Sequence, residues 1–468
     1  MPVFGWTVHG DGRTPPPGEV VRPDERLSWG RTIGIGVQHV VAMFGATFVF
    51  PVVMGLDPNL AVMMSGFATI VFLLVVSGKV PSYLGTSASF VGATVAIRAA
   101  GGSSATVTGA ICVAGIVLFA VGVLVHLAGP RLVHAVFPPV VTGAVVLLIG
   151  FNLAPVVANT YWPQDQWVAL ITLAFVVVMS VLLRGFWSRI AVLLGLVFGF
   201  LLSWVFDLVF GQITAFSAAA GKVTTHWRVD LSGVQKADWI GLPHLHAPDF
   251  KTSAILVALP GVIALIAENT GHVKAVSAMT GDNLDPLLGR ALLADGATTA
   301  VATALGGSPT TTYAENIGVM AATRVYSTAA YWVAAIVAVL FGLCPKFGAL
   351  VAATPGGVLG GITVVLYGMI GLLGAKIWIE NRVDFGDPVN LVPVAAGVIA
   401  AIGNVTLVIT KDFPLSGIAL GTLIVIIAYH TLAAIARRRG PLAPGAAGPG
   451  GTATVIGDVS DASDEERE

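Results

Sequence analysis

The stretch GGSPTTTYAENIGVMAATR, residues 306–324, decides how this chain folds. It lies within a long apolar region, yet it opens on two glycines and Pro309, runs through Thr310–Thr312, and carries Glu315 and Asn316 before Arg324. Proline can start a helix or break one, and threonine can cap a helix N-terminus. A half-helix that starts inside a membrane aims unsatisfied N–H groups and its positive dipole end at the cavity in front of it. Glu315 then follows near the start of that half-helix. A second stretch, VPSYLGTSASFVGA at 80–93, has the same character, with Pro81 and Gly85 ahead of a Ser/Thr-rich run. Two broken, polar segments in corresponding places mark a transport site.

The surrounding composition makes lipid the solvent. Of 468 residues, 56% are hydrophobic and only 10% charged, with a mean hydropathy of +0.87. A soluble domain would carry about a quarter charged residues. A spanning helix needs about 20 mostly apolar residues, and reading apolar blocks between Gly, Pro and charge predicts about fourteen spans. The first is at 31–52, the eighth at 252–273 and the ninth at 286–305. The last two are at 388–408 and 413–435, and the third (82–98) and tenth (310–323) are short and interrupted. With both ends cytoplasmic, 17 of the 24 Lys and Arg fall inside, as the positive-inside rule requires. Residues 1–28 are polar and Pro/Gly-rich, so the first span is expected to serve as the insertion signal. The net charge of −1 argues against binding a polyanion such as nucleic acid. Cys112 and Cys344 suggest neither a disulfide framework nor a metal site.

An internal likeness divides the chain. FPPVVTGAVVLLIG (137–150) resembles PGGVLGGITVVLYG (355–368), and Gly-Pro-Arg at 129–131 is echoed by Cys-Pro-Lys at 344–346. Seven spans per half is an odd number, so the second copy enters from the opposite side and the repeat is inverted. The expected organisation is a cytoplasmic tail (1–30), a transporter domain (31–437) and a disordered acidic tail (438–468). Within the domain the first repeat covers about 31–210, a long loop 211–250 and the second repeat about 251–437.

Ionisable groups inside a membrane are costly and mark function. ALIAENTGHVKAV (264–276) places Glu268 and His272 four residues apart, on one helix face. Gln38 and His39 in the first span either line the cavity or bond between helices. Asp295 reads as a helix-packing or gating hydrogen-bonder, and Arg324 as an anchor at the cytoplasmic boundary. Neither a nucleophile–base set of an enzyme nor a phosphate-binding loop for ATP is found.

Four of these stretches, QHVVAMFGATFVFP (38–51), VPSYLGTSASF (80–90), AENTGH (267–272) and SPTTTYAENIGVMAATR (308–324), resemble the nucleobase–ascorbate transporter family, and within it the bacterial uracil permeases. The last holds the signature of an acidic or amide residue followed by Asn-x-Gly-x4-Thr-Arg, here Glu315 to Arg324, and the similarity extends over most of 30–435. The resemblance implies an all-α fold of fourteen transmembrane segments in two inverted seven-span repeats, divided into core and gate domains and often dimeric. It implies that Glu268, Glu315 and Tyr313, with backbone at Ala88 and Ala314, bind substrate, and that Glu268 and His272 couple protons. Asn316, His39, Gln38 and Asp295 would be accessory. Two departures stand out: comparable permeases carry Phe at the position of Ala88 and Gly at that of Ala314, which leaves ligand size open.

The expected function is proton-coupled import of uracil across the bacterial inner membrane, driven by the proton gradient with no cofactor. Its partners are the small-molecule substrate, protons, the lipid bilayer and, in a dimer, a second copy. A carboxylate accepts from the N–H groups of uracil, while a protonated carboxyl or backbone N–H donates to its carbonyls. Two glutamates facing one dry cavity resist joint ionisation, and proton uptake relieves that repulsion where a neutral base does not. A xanthine, purine or other pyrimidine permease is the alternative, and an uncoupled nucleobase channel another. Anion transporters of similar architecture are disfavoured because the acidic pair would repel their cargo.

Overall fold

The computed structural model describes residues 4–16, 18–184, 187, 190–217, 222–410 and 413–439. Its principal helices, in chain order, are Trp29–Met54 (α1), Pro58–Val75 (α2), Val91–Ala99 (α3), Ser104–Ala128 (α4), Arg131–Val136 (α5), Pro139–Phe151 (α6), Gln166–Leu182 (α7) and Ala191–Phe210 (α8). They continue with Thr252–Ala258 (α9), Gly261–Thr280 (α10), Leu288–Ala304 (α11), Ala314–Thr323 (α12), Thr328–Gly342 (α13), Pro345–Ala352 (α14), Gly356–Glu380 (α15), Pro388–Ile402 (α16) and Gly417–Arg439 (α17). Among the described residues eight helical stretches are long and apolar enough to cross a bilayer, or nine when α13 and α14, bent by 82°, count as one. The chain is therefore a multi-pass membrane protein.

The helices sort into two packing groups. In one, α4 packs on α11, α2 on α13, α1 on α13 and α9 on α4. In the other, α6 packs on α15, α7 on α8, α16 on α17, α15 on α7 and α8, and α6 on α16 and α17. Helices in lipid have no hydrophobic drive to associate, so close backbone approach has to supply the attraction. The α4–α11 seam shows how: a Cβ on Gly122 would meet the Leu293 backbone, and one on Gly296 the Phe119 backbone. The two echoed tripeptides at 129–131 and 344–346 lead into matching short helices, α5 and α14, ahead of α6 and α15.

The fold is mostly helical, and four two-stranded sheets join the helices. The apolar run after α16 does not continue the thirteenth span. Thr406–Thr410 (strand β7) pairs with Phe413–Ser416 (β8), and the β-branched Thr406-Leu-Val-Ile-Thr run lies exposed in this hairpin. Nor are residues 4–28 a loose appendage: Val21 N–H donates to the Arg324 carbonyl at 2.9 Å and Trp6 Nε1 to Thr328 Oγ1 at 2.8 Å. The acidic tail falls almost wholly in 440–468, outside the described residues.

The loop at 211–250 bridges the two groups. Its hairpin (213–217 with 222–226) leads to Arg228, whose Nε lies 2.7 Å from Asp165 Oδ2 and whose Nη1 lies 3.1 Å from Asp207 Oδ1. Farther on, Asp249 N–H donates to the Ala105 carbonyl at 2.8 Å and Gly241 N–H to that of Leu343 at 3.1 Å. Arg228 is only 11% exposed and both carboxylates 8%, so removing the cation leaves two buried anions together. We predict that Arg228→Ala costs roughly 3–5 kcal/mol, read as a lower melting temperature by tryptophan fluorescence in detergent. A melt unchanged from wild type would show that the loop is held by its other contacts.

Candidate functional site

The two broken segments meet at the centre of the protein. Leu84–Thr86 (β3) pairs antiparallel with Thr310–Thr312 (β6), in the register Leu84↔Thr312, Gly85↔Thr311 and Thr86↔Thr310. The ladder is extended by Ser87 N–H to the Pro309 carbonyl at 2.9 Å and Tyr313 N–H to the Tyr83 carbonyl at 3.0 Å. Pro81 and Pro309 break the helices ahead of each strand, and without water in the bilayer core the freed backbone groups must bond to each other. Thr310–Thr312 are thus strand residues and not helix caps; the residue before α12 is Tyr313, which makes no side-chain cap.

Beyond each strand a helix begins: a short 3₁₀ turn at Ala88–Phe90 leads into α3, and Ala314 opens α12. Ser87 Oγ accepts from Ser89 N–H at 3.2 Å. Gly85 is required by close approach, since a Cβ there would strike the Tyr313 ring and Thr47. The Tyr313 hydroxyl crosses the strands and donates to the Thr86 carbonyl at 2.8 Å. Ala88 is buried, while Ala314 is exposed.

α10 runs past this crossing, where Ser89 Oγ donates to Glu268 Oε2 at 3.4 Å, and His272 Nε2 and Ser82 Oγ lie 2.6 Å apart. Glu268 and His272 share a helix face, but each turns to a different end of β3 and bonds to a different serine. The cause is placement: Ser82 and Ser89 flank the strand and compete for the two side chains. Among the described residues His272 Nδ1 is buried without a partner. Glu315 sits in the first turn of α12, half-buried like Glu268, and the two carboxyls interact electrostatically, with Asp295 as a third acid.

Asp295 is fully buried on α11. Its Oδ2 accepts from Asn269 Nδ2 at 2.7 Å and its Oδ1 from Thr310 Oγ1 at 3.4 Å, while Thr299 Oγ1 accepts from Thr310 N–H at 3.1 Å. It therefore ties α10, α11 and β6 together, as a packing hydrogen-bonder would. On the other flank, Asn316 Nδ2 lies 3.0 Å from His39 Nδ1 and donates to the His39 carbonyl at 3.2 Å. The His39 ring lies 4.3 Å from that of Tyr331, so this histidine bonds between helices. Gln38 beside it is half-buried. Ser82, Ser89, Asn269 and Thr299 were not singled out from sequence; the Ser/Thr-rich run and the AENTGH box held the only signal.

A crevice of about 250 Å³ leads from Ser89 between the packing groups, lined by Gly92 of α3, Val257 of α9, Asn152, Asn404 and Gly417.

The sequence profile of the Permease family matches residues 30–410. The chain belongs to this family, the nucleobase–ascorbate transporters. It is 42% identical over 429 residues to RutG of Escherichia coli (strain K12), provisionally named a pyrimidine permease, covering 90% of this chain and 94% of RutG. It is 36% identical to the uracil permease of Bacillus caldolyticus (86% and 91% covered) and 31% to that of Bacillus subtilis (strain 168) (86% and 92% covered). In fold, this permease is similar to the transmembrane domain of the cyanobacterial bicarbonate transporter BicA, with a TM-score of 0.54 at 15% identity over 85% of this chain and 96% of that one. Murine Slc26a9, an anion transporter solved in an inward-facing state, gives 0.62 at 11% identity over 87% and 68%.

The strand crossing makes two local predictions for this permease. Gly85→Ala should lower the melting temperature sharply, because the Tyr313 ring has to leave its place. Tyr313→Phe keeps the ring but strips the buried Thr86 carbonyl of its donor, a loss of about 1–3 kcal/mol. Melting curves of both purified variants check this, and a Gly85→Ala protein as stable as wild type would contradict the packing described.

Proposed function

We propose that this permease imports uracil together with protons by alternating access, through a site formed where the two half-helix starts face α10. The observation that carries the reading is the convergence of Glu268, Glu315 and the first turns of α3 and α12 on one point inside the membrane. Relatives named uracil permeases supply the substrate class. Glu315, beside the exposed Ala314, reads the ring N–H groups, and N–H groups at the helix starts near Ala88 donate to its carbonyls. Glu268 takes the proton, with His272 and its Ser82 contact setting the local polarity; Asp295, Asn316, His39 and Tyr313 hold the frame. The drive is the proton gradient, without a cofactor.

The architecture follows the same reading: fourteen spans in two inverted repeats, about 31–210 and 251–437, in the bacterial cytoplasmic membrane with both termini inside. It is supported by the exchange symmetry of the packing. The α4–α11 contact has its counterpart in α13–α2, α7–α8 in α16–α17, and α15–α8 in α6–α17. The group holding β3 and β6 then serves as core and the other as gate. A second reading, transport of a larger pyrimidine such as thymine, is favoured by the small Ala88 and by the resemblance to RutG.

Glu315→Gln replaces an acceptor-only group by one that also donates, so uracil affinity measured by calorimetry should fall by more than about tenfold. Unchanged affinity would remove Glu315 from the site. In proteoliposomes, uptake should rise as external pH falls and collapse when a protonophore is added. Glu268→Gln should still bind uracil but fail to accumulate it, leaving at most exchange. Equal accumulation by wild type with and without a proton gradient would refute symport. Competition by thymine, xanthine and uric acid in the same assay separates the substrate readings.

A further inference from the structure

The cytoplasmic-side ends of α1 and α12 enclose a pocket outside the transport site. It holds about 360 Å³ and is lined by Thr14 and Pro15 of the N-terminal segment, Arg31 and Ile35 of α1, and Arg324 and Val325 just after α12. Two guanidiniums thus share a space whose remaining walls are neutral. Arg31 Nη1 donates to Thr14 Oγ1 at 2.7 Å and Arg324 Nη1 to the Pro16 carbonyl at 3.1 Å. Among the described residues neither takes part in an ion pair. Arg324 is held with φ at 56°, a left-handed conformation that non-glycine residues rarely adopt. Its carbonyl is fixed by Val21 N–H at 2.9 Å. An interfacial anchor that only touches bulk headgroups needs neither a roof of folded chain nor a fixed backbone. Guanidinium forks match phosphate oxygens bidentately and are less hydrated than ammonium, which suits them to a partly apolar pocket.

We infer that this pocket is a binding site for a phosphate ester, gripped by Arg31 and Arg324 beneath the N-terminal segment. The same chemistry is offered by an acidic phospholipid headgroup at the inner leaflet and by a soluble nucleoside or sugar phosphate. An occupant would tie the N-terminal segment, α1 and the end of α12 together, stiffening the helix that carries Glu315 at its other end. The inference stands on the pocket and does not depend on uracil being the cargo.

The test uses the full chain, melted with tryptophan fluorescence as readout. In neutral detergent the probes are inorganic phosphate and uridine 5′-monophosphate; in nanodiscs, phosphatidylglycerol is compared with phosphatidylcholine. A saturating occupant should raise the melting temperature by about 2–4 °C. The rise should vanish in Arg31→Gln/Arg324→Gln and survive in part in Arg31→Lys/Arg324→Lys. Stabilisation by the soluble ester assigns the site to a cytosolic phosphate; stabilisation by phosphatidylglycerol alone assigns it to a headgroup. If the double variant is misfolded, Arg31→Gln, which leaves the Arg324 turn intact, should still weaken the response several-fold. No shift with any probe, or an undiminished shift in the Gln variants, overturns the inference.

Discussion

Everything at the centre of this permease depends on one constraint: backbone N–H and C=O groups freed inside a bilayer must find each other. Each unsatisfied group in hydrocarbon costs several kcal/mol, and here two interrupted segments meet that demand by pairing β3 with β6. The pairing fixes where α3 and α12 begin, since both helices emerge directly from its ends. It also explains why a glycine and a tyrosine meet there. Gly85 leaves space for the Tyr313 ring, and that ring's hydroxyl returns to the backbone at Thr86.

Around the crossing, most buried polar side chains are bonded to one another. Asn269, Asp295, Thr299 and Thr310 are linked on one flank, and His39 with Asn316 on the other. Glu268 and Glu315 differ from these residues. Both are half-buried, neither lines the crevice, and Glu268 is hydrogen-bonded by Ser89 at 3.4 Å and contacted by Thr311. A carboxyl that the frame does not saturate is left with acceptor capacity for a ligand or a proton. Asp295 differs in burial: it is fully buried and accepts from Asn269 and Thr310.

Much of this was legible in the sequence because lipid exaggerates the contrast between apolar and polar residues. Pro81, Gly85, Pro309 and the AENTGH box stood out against 56% hydrophobic surroundings, so the broken segments and Glu268, His272, Asp295 and Glu315 could be placed. Partners were harder to read. The spacing of Glu268 and His272 permits a pair, and nothing local says that Ser82 and Ser89, nearly two hundred residues away, draw them apart. The β7–β8 hairpin escaped for a related reason. Its Leu, Val and Ile read as membrane filler, because a short apolar run looks the same in a helix and in a strand. The N-terminal segment was polar enough to pass for a loose tail, and only its long-range contacts with Arg324 and Thr328 reveal it as folded.

The solved proteins that share this fold include bicarbonate and anion transporters, and fold alone does not choose a cargo. Two helix N-termini meeting head-on create a positive pocket suited to an anion. Glu315 in the first turn of α12, with Glu268 opposite, cancels that field and replaces it with hydrogen-bond acceptors. An anion would meet repulsion where a neutral heterocycle with N–H edges meets partners. Under the proposed function the acidic pair sets the sign of the cargo, while the small side chains at Ala88 and Ala314 set its size.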